Sequence, residues 1–544
     1  MTSRKFFIFV FLGSIFLSFL LYGNNLKGDF VYDDKFFAER PELRNPSYLS
    51  RVWLEPYIPQ NREAGAYRPL AVLSFALNFI FFGESTLSFH LVNVLLNGVA
   101  VFLIFLLIFR LFGDRSLALV SSAIFALLPI HTEAVNFIKA REELMSSFFG
   151  LLSWLIFISA INKAEISKYR NLDYQKLFLS SFLFLLAVLS KELIFILPLL
   201  FLAVYWIKNN PRLRNLIKTA AVFIPASLIY LIMRYLALGN YALGKDEAYF
   251  VINPVTFTDF WTRIWTAFKI VFIYIGKIFV PLNLSATYHY NHLTLVSGPL
   301  GSLETVLGIL FLLILIYLIK NKKFKNSPLR IGAIIFLVPY LVFSKFFWTA
   351  GEIVGERWMY FPSVGLSIIA GYFIYLLIRK NKVIGYLLFA ILFIFYTSVI
   401  IPRNKVWANE ENLYKNMVKT APQSVQSHFS LAIWYLKNGF TEEATKEADV
   451  AFKIYPDHPP LLNLIGTLAF TNGDYSLAED AFLRAIELRP KLAVSYSNLA
   501  KLYYRVGEYR GTKDMLEILI NNLSQPSKKD LMLYEEVLKK LNEK

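Results

Sequence analysis

The segment Gly28-Asp-Phe-Val-Tyr-Asp-Asp34 places two adjacent carboxylates, Asp33 and Asp34, just past an apolar run that ends at Tyr22. Near a membrane surface such a pair repels itself and anionic headgroups, and burial would cost more, so it calls for a partner or a proton. A carboxylate in this position could take the proton from an acceptor hydroxyl as that hydroxyl attacks an activated sugar. The same residues could also cap a helix in a wet loop.

Further ionisable groups stand where apolar residues would be the default. His131, Glu133, Arg141, Glu142 and Glu143 follow Pro129, Lys191 and Glu192 interrupt an apolar stretch, and Glu356, Arg357 and Tyr360 precede another. Arg68 opens the amphipathic stretch after Tyr67, where a helix along the membrane surface is expected. Ionisable groups at membrane depth are functional candidates, and cations suit a phosphate leaving group, although internal ion pairing or snorkelling accounts for any single one of them. These ten residues (Arg68, His131, Glu133, Arg141, Glu142, Lys191, Glu192, Glu356, Arg357 and Tyr360) are the candidate substrate-binding set. No His-rich or multi-carboxylate cluster demands a metal, so no metal ligand is assigned and a divalent ion stays optional.

What must position them is a membrane body. Of 544 residues 56% are hydrophobic and only 17% charged, and the charges gather between apolar runs and in the last 140 or so residues. The net charge of +17 falls largely in inter-run loops, which reads as a positive-inside signal and not as a nucleic-acid face. The first apolar run, Phe6 to Tyr22, follows a short basic flank without a small-x-small cleavage site, and is expected to be an uncleaved anchor with a cytoplasmic N-terminus. Charged loops at 110–115, 162–176, 208–214, 320–330 and 379–382 should face the cytoplasm. That parity holds with about 11 spans if the basic run 263–281 does not cross, and it places the carboxylate pair, the other polar clusters and the tail outside. The expected body is residues 1–401 with an outer loop at 23–88. With no cysteine, redox chemistry says nothing about the compartment.

The tail, 402–544, repeats. Pro422, Pro456 and Pro490 are spaced by 34, as are Gly439, Gly473 and Gly507, and Ala432, Gly466 and Ala500. Small residues where paired helices touch, a turn residue between them and a closing proline are the signature of a tetratricopeptide solenoid. The fold class is therefore all-α, a polytopic helical bundle followed by an α-solenoid.

Several segments together resemble the tetratricopeptide-containing transmembrane glycosyltransferases, the O-mannosyltransferase-like branch of the GT-C superfamily. They are Gly28 to Asp34, Tyr67-Arg-Pro-Leu70, Phe89 to Asn97, Pro129-Ile-His-Thr-Glu-Ala-Val135, Leu189-Ser-Lys-Glu192, Gly355 to Ser363 and Arg403-Asn-Lys-Val-Trp407. The resemblance implies a GT-C-like body in which Asp33 or Asp34 is the catalytic base. It also implies inverting transfer of a sugar, mannose in the family, from a polyprenyl-phosphate donor in the membrane lipid to a protein or glycan acceptor, with the repeat groove holding the acceptor. Where relatives carry a Gly-Arg-Ala-Asp-like segment this chain reads Lys139-Ala-Arg-Glu-Glu143, which keeps the arginine and lengthens the acid. The short array and lack of cysteine lean toward a bacterial cell membrane with the repeats outside the cytoplasm. Two other classes fit parts of the pattern: a flippase for a lipid-linked intermediate, which would want an inverted repeat, and a non-catalytic scaffold displaying the repeats.

Overall fold

The computed structural model describes residues 3–166, 172–243, 250–347, 349, 351–523 and 526–542. Among them the chain is helical with no β-strand, as the sequence requires of a backbone that must satisfy itself in lipid. The expected cytoplasmic loop 162–176 lies partly outside the described residues.

Eight helices among the described residues are long and apolar enough to cross a membrane, from Arg4–Asn25 to Lys382–Val406. The bent pair Arg115–Leu127 and Pro129–Asn136 makes a ninth if it is one span. Three shorter apolar helices, Pro69–Phe82, Tyr174–Ser190 and Pro328–Phe343, fall below that length, and Phe260–Phe279, which carries Arg263, Lys269 and Lys277, is not among the candidates. Three of the apolar helices are capped at their starts by side chains. Asp114 accepts from the N–H groups of Ser116 and Leu117 at 2.8 and 2.9 Å, Ser302 from Thr305 at 3.1 Å, and Asn381 from Ile384 at 3.1 Å.

The chain divides into two compact units, 1–249 with 255–286 and 295–413, and 250–254 with 287–294 and 414–544. The switch expected after Ile401 falls inside a helix. Lys382–Val406 runs through Pro402 and ends four residues later, because a proline near a helix end removes one backbone bond without unwinding the rest.

In the first unit, the segment after Tyr22 forms a series of short 3-10 turns, and Phe37, Leu43, Tyr48, Val52 and Tyr57 bury their side chains against one face of Pro69–Phe82. The helix Tyr174–Ser190 stops where Lys191 turns extended, and a 3-10 turn over Glu192–Ile196 leads into Leu197–Asn209. Helices Ser363–Lys380 and Arg115–Leu127 approach so closely that a Cβ on Gly371 would stand 2.7 Å from the Ser121 Cα, which is the small-residue packing membrane helices use.

The second unit contains three antiparallel pairs, Val425–Lys437 with Thr441–Ile454, Pro459–Asn472 with Tyr475–Leu488, and Ala493–Val506 with Tyr509–Ile518. Gly439, Gly473 and Gly507 each occupy the left-handed region at φ 83°, 83° and 86°, turning one helix of a pair into the next. Ala432, Ala444, Ala451, Ala478, Ala485 and Ala500 are fully buried where the helices touch, so the 34-residue period has a packing cause.

Candidate active site

Asp33 and Asp34 sit on the same turn but in different environments. Asp34 is 1% exposed, its Oδ1 accepts from the Lys139 backbone N–H at 2.7 Å and its Oδ2 from that of Val31 at 3.2 Å. Burial pushes its carboxyl up to about 8, with the two backbone donors pulling the other way. The Asp33 side chain keeps 29% of its surface and takes the Lys139 ammonium on Oδ2 at 2.6 Å. One carboxylate therefore ties the turn to the 138–140 segment, and its neighbour faces outward on a single cation.

A second cluster gathers Arg68, Glu142, Glu143, Lys191 and Glu192 from three separate parts of the sequence. Arg68 grips Glu192 with two parallel hydrogen bonds, 2.9 and 2.6 Å, and reaches Glu142 with its other terminal nitrogen at 2.6 Å. Lys191 lies 3.2 Å from the same Glu142 oxygen and pairs with Glu143. Glu142 is thus shared by two cations, and Lys139 and Arg357 are also within electrostatic reach of it. The break at Lys191 is what points this ammonium inward, since an uninterrupted helix would have carried it past the cluster.

Arg357 holds a third group together. Glu133 accepts from both its backbone N–H, at 2.9 Å, and its guanidinium, and Glu352 lies 3.4 Å from Nη2. Lys139 and Arg357 thus bring the three groups into one electrostatic network around Glu142.

Four predicted residues point elsewhere. Arg141 is fully buried in a neutral cage, donating to Asn93 Oδ1 at 2.9 Å, Asn78 Oδ1 at 2.6 Å and the Phe89 carbonyl at 3.0 Å, with Phe75 and Phe89 rings over its guanidinium. His131 contacts Ser363 Oγ at 2.8 Å and packs between Phe125 and Tyr360, whose hydroxyl donates to Asn97 at 2.7 Å. Glu356 accepts from the Ser285 N–H at 2.7 Å and lies 3.8 Å from Arg403. These side chains fasten helices to one another.

Lys139 was absent from the predicted set although it touches both aspartates. Its signal was its place one turn before Glu142 and Glu143 in a segment otherwise read for its arginine. Beside Glu192 opens a cavity of about 830 Å³ walled by Phe195, Tyr230, Leu231, Arg234 and Tyr235, mostly apolar with one cation at its edge. No three His, Asp or Glu side chains among the described residues come together as a metal site.

A polytopic all-helical membrane protein with a buried network of alternating charges and a solenoid of helical pairs is the class these features define. Its homologues are TMTC protein O-mannosyl-transferases. The chain is 26% identical to human protein O-mannosyl-transferase TMTC1 over 500 residues, covering 83% of this chain and 56% of that protein. It is 24% identical to protein O-mannosyl-transferase F38B6.6 of Caenorhabditis elegans, covering 82% and 62%, and 25% identical to mouse TMTC4, covering 76% and 62%. The chain spans less than two thirds of the length of these relatives. No protein-family model matches it. Among solved structures it is similar to the Archaeoglobus fulgidus oligosaccharyltransferase, in the apo form (TM-score 0.43) and tethered to an acceptor peptide (TM-score 0.47). Each comparison is at 14% identity and covers 84% of this chain and 60% of that one.

Proposed function

We propose that this chain is an inverting glycosyltransferase of the GT-C type that moves a sugar, mannose by analogy with its relatives, from a polyprenyl-phosphate donor to a protein or glycan acceptor on the outer side of the membrane. The observation that carries the reading is the pairing of an outward carboxylate, Asp33, with the part-buried cations Lys139, Arg68 and Arg357 and the buried Lys191 around Glu142.

The acceptor hydroxyl attacks the anomeric carbon as its proton passes to Asp33, and the bond from that carbon to the phosphate oxygen breaks. The polyprenyl phosphate leaves with the electron pair, and the sugar inverts. Asp34, with both oxygens held by backbone N–H groups, is a positioning residue for this turn. The leaving phosphate gains charge where Arg68, Lys191 and Arg357 can share themselves between their carboxylates and the new anion. Phe195, Leu231 and Tyr235 offer the isoprenoid chain an apolar wall next to Arg68 and Glu192. An optional divalent ion would have to displace a cation from one of these carboxylates.

The charged loops support an exit of the last span to the outer side, which puts the repeats beside the acceptor and, in a bacterial host, outside the cell membrane. Incubating the purified chain with radiolabelled polyprenyl-phosphate mannose and an acceptor extract tests the reading. Label in protein or glycan, abolished by Arg357→Gln or Lys191→Gln, is the expected outcome. Transbilayer movement of the donor without transfer would favour the flippase.

A further inference from the structure

Tyr57 packs into the apolar core beside Pro69–Phe82, yet its polar end faces the ionic network. The Tyr57 N–H donates to the Ala66 carbonyl at 2.9 Å, which closes the 57–66 segment and brings the tyrosine back beside Arg68. The Arg68 guanidinium carbon lies over the Tyr57 ring, 4.9 Å from its centre, and the Phe37 ring centre lies 5.1 Å from the same point. Apolar packing therefore fixes a ring on which the guanidinium rests.

The hydroxyl is not spent in the same way. Tyr57 is 1% exposed, and its oxygen has no hydrogen-bond partner among the described residues. Glu142 Oε2 is buried and equally without one, while Arg68 and Lys191 both approach Oε1. The phenol and this carboxylate are electrostatic neighbours. A buried donor thus stands next to a buried charged acceptor with neither used, an arrangement that costs stability unless another state of the site pairs them.

We propose that Tyr57 is a positioning residue whose hydroxyl compensates Glu142 when a phosphate draws Arg68 and Lys191 away. This role rests on the donor-phosphate reading above. In the ligand-free protein the two cations neutralise Glu142 through Oε1. When they turn to the phosphate, Glu142 is left as a buried charge, and the Tyr57 O–H donates to its free oxygen. No proton changes owner: one hydrogen bond forms as two ion pairs lengthen. The ring meanwhile keeps its support under Arg68.

Calorimetric titration of the purified full chain with polyprenyl phosphate, and with the uncharged polyprenol of the same length, tests the role beside thermal unfolding of the ligand-free protein. Tyr57→Phe should unfold at the wild-type temperature or above it, because the hydroxyl it removes is unpaired in that state. It should bind polyprenyl phosphate about tenfold more weakly, the scale of a hydrogen bond to a charged group, and polyprenol as the wild type does. Tyr57→Leu, which also takes the ring from Arg68, should weaken phosphate binding further. Unchanged phosphate affinity in Tyr57→Phe, or a loss matched by lower stability or weaker polyprenol binding, would overturn the role and leave the donor site standing. A wild-type chain that binds polyprenyl phosphate no better than polyprenol would remove the phosphate site itself, and this role with it.

Discussion

The ammonium of Lys139 lies 2.6 Å from the carboxylate of Asp33. The backbone N–H of the same lysine donates to Asp34 at 2.7 Å. One residue therefore separates the two aspartates by role: Asp33 meets a side-chain ammonium at a partly open surface, and Asp34 meets backbone donors in the interior.

Asp34→Asn should therefore be the more damaging change to the fold. An amide offers one acceptor where two N–H groups need one each, and it turns its own donors toward one of them. The cost of a buried donor left unsatisfied is about 1–3 kcal/mol. Thermal unfolding of purified protein should show that loss for Asp34→Asn and little for Asp33→Asn, whose pair is part-exposed. The reverse order would mean that Asp33 carries the structural load.

Glu142→Gln should destabilise more than Glu192→Gln. Glu142 balances Arg68 and Lys191 at once, so its loss takes a charge partner from both and leaves each with one carboxylate, whereas loss of Glu192 takes a partner from Arg68 alone. Comparable thermal shifts for the two variants would remove Glu142 from the centre of the network.

Arg141→Lys should weaken the fold and leave the pH profile of transfer unchanged. An ammonium cannot span Asn93, Asn78 and the Phe89 carbonyl as the planar guanidinium does, so partners are orphaned in the core. A variant of normal stability that no longer binds donor would return Arg141 to the phosphate site.

These residues mark how far the sequence could be read. Apolar runs and the 34-residue period determine helices and pairing through local rules, so the spans, the break at Lys191 and the solenoid were legible. The cage around Arg141 was not legible because its partners are 48 and 63 residues away along the chain, and nothing in the spacing distinguishes asparagine oxygens from a phosphate. Lys139 was overlooked for the same reason, since its closeness to Asp33 exists only once residues 106 apart have folded together. The inclusion of 250–254 and 287–294 in the second unit had no sequence signal, because neither segment shares the repeat's period.

The repeats should carry a pH signature at His428. Burial lowers its affinity for a proton, but Glu447 Oε2 at 2.6 Å and the Pro422 carbonyl at 2.9 Å outweigh that and raise its pKa above the ordinary value. A histidine raised in the folded state contributes stability that is complete below its unfolded value of about 6.5 and is lost as pH rises through the folded one. Hydrogen exchange of Val425–Lys437 in the full chain should show His428→Gln costing more protection at pH 6 than at pH 8.5. A constant cost across that range would mean the imidazole stays neutral.

The base assignment is tested most directly by the single-turnover transfer rate of Asp33→Asn with saturating polyprenyl-phosphate mannose. The amide keeps the shape of the carboxylate but cannot take the acceptor's proton, and general-base contributions are about a hundredfold to ten-thousandfold. The predicted result is a rate reduced by that range, with wild-type donor affinity and thermal stability. A rate within a few-fold of wild type, in a variant that folds and binds donor normally, would contradict the role of Asp33 as the catalytic base.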